Sequence, residues 1–510
     1  MSAIAATPAA ADDSARRGIG SLRTKLLYGF GSVAFGVKDQ GFSYFLLFFY
    51  NQVVGAPSQI VGRAIAIALF VDAFADPIIG QLSDNLRTRW GRRHPFMYAS
   101  VLPVTIAYFL LWNPPHWPQA ALFAWLVGII IVVRTFISMY EIPSSALVAE
   151  LTPDYDQRTS FFAWRYLFGW LGGLGMTMLA FGVFFAPTKR FPVGQLNPDG
   201  YFRYSIAACA LIVVAIFVSA AGTHKFIPGF SVPPKRRFSL ARVFKEMFET
   251  LRHRSFVILT VSALFAAIAA GTLAALNNYF NTFLWGLGAM QILLLTVFVV
   301  LAPIVALVLA PALSSRIGKK RAAIAFWMLA TGFYWLPMAA RLLDLFPENG
   351  AKLLLPLLAF FNTTGTMFSI ASAITVTSML ADLVEDSQRR TGRRSEGLFF
   401  SANAFVLKAV SGVGIWMATE LLAFVHFPAH ADPALLDPQI PKNLALAYFP
   451  VTFALYAVAL GCLAFYRIDR KVHEENLRTL AAEVERAQLV IGLEAIRTPE
   501  PGDPAEGLVG

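Results

Sequence analysis

Apolar residues along this chain gather into runs separated by short polar breaks, and the runs have a length set by the bilayer: about 30 Å of hydrocarbon takes ~20 apolar residues in a helix. They fall near residues 25–53, 60–84, 94–113, 120–148, 161–186 and 203–222, and again near 254–284, 288–314, 321–341, 353–380, 397–425 and 443–466. A polar, basic stretch at about 223–253, with Pro228, Pro233 and Pro234, parts the first six from the last six. The pattern predicts an all-α polytopic membrane protein with 12 transmembrane helices in two six-helix bundles. Its expected organisation is a tail over 1–22, a bundle over 23–222, a linker over 223–253, a bundle over 254–467 and a second tail over 468–510. Short amphipathic helices are expected over 239–252 and 468–491, and disorder from Thr498 to Gly510, which is rich in Pro, Gly and acids.

An internal repeat accompanies that division. Gly80-Gln-Leu-Ser-Asp84 followed by Gly91-Arg-Arg has a counterpart in Pro311-Ala-Leu-Ser-Ser315-Arg-Ile-Gly318-Lys-Lys, and both lie between the second and third spans of their half. Weak likeness between halves is the trace of a duplicated transporter fold.

Composition agrees: 57% of the 510 residues are hydrophobic and 14% charged, with a mean hydropathy of +0.59, too apolar for a soluble chain of this length. The net charge of +11 does not point to nucleic acid, because Lys and Arg occur as short clusters in every second loop rather than as one patch. Arg16, Arg17, Arg23 and Lys25 precede the first span, Arg87 to Arg93 follow the second, and Lys235 to Lys245 fill the linker. Arg316 to Arg321, Arg389 to Arg394, and Arg470 with Lys471 continue the series. By the positive-inside rule both termini are expected in the cytoplasm. The first 19 residues lack the pattern of a cleaved signal peptide, so the first helix is expected to act as its own signal. Cys209 and Cys462 each sit in an apolar run and read as inert thiols.

Ionisable groups at membrane depth are costly, and they usually mark a partner ion, a proton path or a water-filled cavity. Here they are Lys38 and Asp39 in the first span, Asp72 and Asp76 in the second, Arg134 and Glu141 with Ser138 and Tyr140 in the fourth, Arg165 in the fifth and Lys408 in the eleventh. Asp72 and Asp76 stand at i and i+4 and share one helix face, which makes them a candidate cation site. Acids and bases at this depth imply a hydrophilic crevice between two bundles.

Several of these residues carry a resemblance. Gly36-Val-Lys38-Asp39, Asp72-Ala-Phe-Ala-Asp76-Pro-Ile-Ile-Gly80, Arg87-Thr-Arg89-Trp-Gly91-Arg-Arg-His-Pro95, Tyr140-Glu141-Ile-Pro143, Arg165 and Lys408 follow in order across residues 20–470. In this the chain resembles the glycoside–pentoside–hexuronide:cation symporters, the melibiose-carrier-like family of the major facilitator superfamily. The resemblance implies the major facilitator fold with pseudo-two-fold symmetry, and symport of a sugar or glycoside with Na⁺ or H⁺. It further implies cation binding by Asp72, Asp76, Ser138 and Glu141, and substrate binding by Asp39, Glu141 and Arg165, with Lys408 balancing the charge. Glu141 departs from the aspartate common in the family, and its extra methylene leaves Na⁺ and H⁺ both open. Bulky aromatics of disaccharide carriers on the fourth and tenth helices are replaced by the small Ser145 and Ala373, so the pocket is wider or its stacking platform lies elsewhere. Lys38, Tyr44 and Trp164, beside these residues in the sequence, are further candidates for the substrate site, the two rings for a sugar face.

Asp84, Arg87, Arg92 and Arg93 lie at the cytoplasmic end of the second span and read as gate ion pairs. No nucleophile–base pair, phosphate loop or attached soluble domain argues for an enzyme, and His94, His116 and His253 have no partner at ligand spacing for zinc. Membrane lipid and a small-molecule sugar are the expected partners of a monomer, with no cofactor. Lysolipid carriers of the same superfamily share the paired-Asp and Lys pattern and remain the alternative substrate class.

Overall fold

The computed structural model describes residues 20–152, 154–229, 254–391 and 412–466, and regular structure among them is helical throughout. In chain order the membrane helices are α1 (22–53), α2 (Ser58–Asn85), α3 (His94–Leu111), α4 (Gln119–Leu151), α5 (155–184), α6 (Pro198–His224), α7 (Arg254–Leu284), α8 (Ala289–Ile317), α9 (Lys319–Leu342), α10 (Leu354–Thr391), α11 (Gly412–Phe424) and α12 (Gln439–Ala464). Ten are long and apolar enough to cross a bilayer as they stand. The other two are α1, which is broken into pieces, and α11, which is described from Gly412 on. Lys408 lies outside the described residues, as do the two expected amphipathic helices.

Several helices extend beyond their apolar runs, because polar turns that enter the membrane interface are helical without being hydrophobic. Thus α5 starts at Tyr155, where the Asp154 side chain accepts a hydrogen bond from the Gln157 amide at 2.8 Å, an N-cap that satisfies an otherwise orphaned donor. Similarly, α10 runs on to Thr391. Facing outward, α8 exposes Ile304, Leu307 and Val308. In a soluble protein such a stripe would be an aggregation hazard; against lipid it has no cost.

Contacts within the two halves repeat with an offset of six helices: α3 packs on α4 and α6, α2 on α4, and α1 on α6, while α9 packs on α10 and α12, α8 on α10, and α7 on α12. The sequence repeat sits at matching turns. Gly91 and Gly318 both adopt a left-handed backbone, φ +73° and +86°, which a side chain would strain. Each turn is also braced by a basic residue at the start of the following helix and an acid near the end of the next. Arg93 Nε lies 2.9 Å from Glu150 Oε1, and Lys319 Nζ lies 2.6 Å from Asp382 Oδ1.

Close packing places α1 at the centre of its half. Gly36 rests directly on the backbone of α5, where a Cβ would collide with the Gly169 carbonyl. Gly169 and Gly173 form the small-xxx-small pattern that lets membrane helices approach backbone to backbone. Gly31 divides α1 into Leu22–Phe30 and Ser32–Gln40, and a Cβ there would strike the Tyr140 hydroxyl and Ser219.

The halves meet at the end of the bundle far from residues 22 and 466. Tyr44 accepts hydrogen bonds on its carbonyl from Asn278 at 2.7 Å and on its hydroxyl from Asn277 at 3.0 Å and Asn281 at 3.3 Å. Tyr279 donates to Asn51 at 2.9 Å, and Gln52 is bonded to the Pro428 carbonyl and the Ala431 amide. Gln195 reaches Thr282 and the Leu287 carbonyl, both at 3.0 Å. Among the described residues no hydrogen bond or ion pair joins the halves at the opposite end.

Candidate functional site

Glycine contact between α1 and α5 sets two charged residues on one crevice. Asp39, three residues after Gly36, and Arg165, four before Gly169, line a cavity of about 770 Å³ together with Glu141 of α4. The Asp39 side chain is 57% exposed although it lies near the middle of α1, so the crevice is open to water at membrane depth. Beside it Lys38 is buried, with Nζ 3.5 Å from Asp39 Oδ1 and 4.3 Å from the centre of the Phe35 ring. Cation–π contact and the neighbouring carboxylate together compensate a buried ammonium.

Arg165 is held at one corner. Its Nη1 donates to Ser144 Oγ at 2.7 Å and to the Tyr28 hydroxyl at 3.1 Å, while Tyr28 donates to the Ser144 carbonyl at 2.7 Å. A guanidinium offers five donors in a planar fork, and fixing one nitrogen leaves Nε and Nη2 for a ligand. Tyr28 and Ser144 were not apparent from the sequence. Their only signal is position: a hydroxyl in an apolar run, and a serine directly after the Tyr140-Glu141-Ile-Pro143 stretch.

Asp39 and Glu141 also border a second cavity of about 440 Å³, whose wall includes Lys38, Arg134 and Ser145. Behind it lies Asp72, buried on α2 and gripped by Arg134 of α4, with Nη2 and Nε 2.6 and 3.0 Å from Oδ2. Asp76 follows one turn along α2 and is half-buried; Ser138 is buried on α4 between Arg134 and Glu141. These cation-site candidates therefore share one pair of packed helices. Yet among the described residues no three His, Cys, Asp or Glu side chains converge to hold a metal ion. The sequence placed Arg134 at membrane depth without pairing it; periodicity cannot say which residue of a neighbouring helix faces it.

Tyr44 sits where α1 meets α7, its hydroxyl taken by Asn277 and Asn281. Trp164 borders neither of these cavities; its ring lies 6.1 Å from that of Phe168. Ser145 lines the smaller of the two, whereas Ala373 lines neither.

Asp84, Arg92 and Arg93 are engaged within the first half. Arg93 bridges Asp84 at 2.5 Å, Glu150 at 2.9 Å and Ser83 at 2.7 Å, and Arg92 reaches the same Glu150 oxygen at 2.7 Å. The shared acid Glu150 lies at the end of α4, past the apolar run, and was not singled out by the sequence. Arg87 lies in the same connection between α2 and α3.

A family model described as MFS/sugar transport protein matches residues 27–470. The inner membrane symporter YicJ of Escherichia coli (strain K12) is 23% identical, with 92% of this chain and 96% of that one covered. An isoprimeverose transporter of Lactiplantibacillus pentosus is 24% identical over 84% of this chain and 85% of its own length. Among solved structures, the E. coli xylose transporter XylE in its inward open conformation superposes with a TM-score of 0.56 at 14% identity, covering 89% of this chain and 98% of that one. That likeness concerns the fold alone.

Proposed function

The chain belongs to the MFS/sugar transport protein family, a family of multi-pass membrane transporters rather than enzymes, and from that premise we propose that it carries a sugar or glycoside together with a cation, Na⁺ or H⁺, by alternating access. The observation that carries the reading is the crevice on which Asp39, Glu141 and Arg165 meet at membrane depth. A carboxylate accepts and a guanidinium donates several hydrogen bonds at once, the pair of groups suited to vicinal hydroxyls. Coupling is electrostatic. Closing the crevice over Asp39 and Glu141, which line it, desolvates negative charge, and a bound cation removes that cost. Because Asp39 and Glu141 border both cavities, cation and sugar act on the same carboxylates, and each strengthens binding of the other.

In this reading the membrane is the plasma membrane, which in a bacterium is the inner membrane, and both termini are cytoplasmic, the side the basic loops favour. The bonded far end is then the outer gate, and the conformation faces inward. The carrier works as a monomer.

The test is uptake by the purified chain in proteoliposomes. Labelled sugars are offered under an inward Na⁺ gradient at constant pH and, separately, under a pH gradient. Sugar accumulation under either gradient supports the proposal and identifies the ion. Gradient-driven uptake of a lysophospholipid, with none of any sugar, would overturn it in favour of an amphiphile carrier.

A further inference from the structure

Which ion the crevice can use is decided on α4. Arg134, Ser138 and Glu141 stand at i, i+4 and i+7 and so rise from one face of that helix. The face that brings a hydroxyl and a carboxylate towards the candidate cation site therefore also brings a guanidinium, which stays protonated.

Its seat is fixed. Nη2 and Nε lie 2.6 and 3.0 Å from the same Asp72 oxygen, and the Arg134 and Asp72 side chains are only 10% and 2% exposed. Separating them would strand two charges away from water. Arg134 lines the cavity of about 440 Å³ while Asp72 does not, so an ion arriving from the cavity meets the guanidinium before the carboxylate. Lys38, a second tethered cation, borders the same space.

A metal ion and a proton fare differently in such a place. Hard cations are held by several oxygens at once, and an oxygen that already accepts two N–H groups of a cation is a poor member of that shell. Among the described residues no three His, Cys, Asp or Glu side chains converge to replace it. A proton needs one carboxylate and no shell.

We propose that Arg134 is the ion-selectivity residue of this carrier: its guanidinium takes the place of a metal cation at Asp72, so the chain is indifferent to Na⁺ and the proton is left as the driving ion. The proposal rests on the symport reading of the crevice and narrows it. Arg134 is a positioning residue here, acting through Asp72 and touching neither sugar nor transported ion.

Sugar uptake in proteoliposomes and thermal unfolding of the full-length purified chain in detergent test it together, with NaCl set against choline chloride at equal ionic strength. In the wild type a pH gradient should drive accumulation and an inward Na⁺ gradient should not, and Na⁺ should melt the protein no higher than choline does. Arg134→Ala vacates the place beside Asp72 and should gain a Na⁺-dependent rise in melting temperature. Its apparent Na⁺ affinity should tighten by roughly tenfold or more, the effect of removing one neighbouring like charge. Arg134→Gln, whose amide can still donate to Asp72 but carries no charge, should do the same, and serves if the alanine variant does not fold. Arg134→Lys restores a tethered cation and should lose the Na⁺ response, which a role confined to packing would not produce. Na⁺-driven uptake by the wild type, or neutral variants as indifferent to Na⁺ as the wild type, overturns the selectivity role and leaves the symport standing. A wild type that accumulates no sugar under either gradient overturns the symport reading itself, and the melting series still decides the role of Arg134.

Discussion

Arg134 holds Asp72 across the contact of α4 with α2, two guanidinium nitrogens on one carboxylate oxygen at 2.6 and 3.0 Å, with both side chains buried. A tethered cation thus already occupies the first of the two carboxylates that the spacing of α2 marks as a cation site. Any mobile cation at Asp72 has to compete with a charge that cannot diffuse away.

Removing either member of that pair should destabilise the protein by about 3–5 kcal/mol, because the survivor is a buried charge without its counterpart. Thermal unfolding in detergent of Arg134→Met, Asp72→Asn and the double variant checks this. The double variant should melt closer to wild type than Arg134→Met does; additive losses would mean that the two residues do not act as a pair.

Coupling should follow Asp76 and Glu141. Asp76→Asn and Glu141→Gln should abolish gradient-driven accumulation, and in Asp76→Asn, which spares the residues lining the sugar crevice, sugar exchange across the membrane should persist, since a neutral amide no longer needs the cation for closure. Concentrative uptake surviving in both variants would remove them from the cation site.

Arg165 is expected to be a substrate ligand. Arg165→Ala should weaken sugar binding by about 1–3 kcal/mol or more, since hydroxyls are left unpaired. Tyr28→Phe, which deletes one of the two anchors of Nη1, should have a smaller effect in the same direction. Titration calorimetry with the same sugar ranks the three proteins, and unchanged affinity in Arg165→Ala would contradict the assignment.

Gly36→Val should be among the most damaging single changes in the first half. Its side chain collides with the Gly169 carbonyl, and backbone cannot move aside as a flexible side chain would. Separation of α1 from α5 also separates Asp39 from Arg165. Loss of both folded yield and sugar binding is expected, whereas Gly175→Ala, where a Cβ meets nothing within 4 Å, should behave as wild type.

Glu150 ties Arg92 and Arg93 to the end of α4, so Glu150→Gln should loosen the turn that links α2 to α3. Protease accessibility of residues 86–93 measures it. Asp382→Asn should do the same for the turn at Gly318 through Lys319; protection unchanged in both variants would show the braces to be dispensable.

Helix number, the two-by-six division and the matching turns at Gly91 and Gly318 were legible in the sequence, because a bilayer imposes one length on every span and a duplication leaves its glycines and charges in register. So were the ionisable residues themselves, since an Asp or Arg inside an apolar run stands out by its cost. Spacing along one helix could place Asp72 and Asp76 on one face, but only tertiary structure gave Asp72 its partner on α4, set Tyr28 and Ser144 around Arg165, and turned Trp164 away from the cavities. Periodicity reports which side of a helix is apolar; which neighbour it meets is decided by the small-residue contacts, such as Gly36 on Gly169, that fix how closely and at what rotation the helices pack.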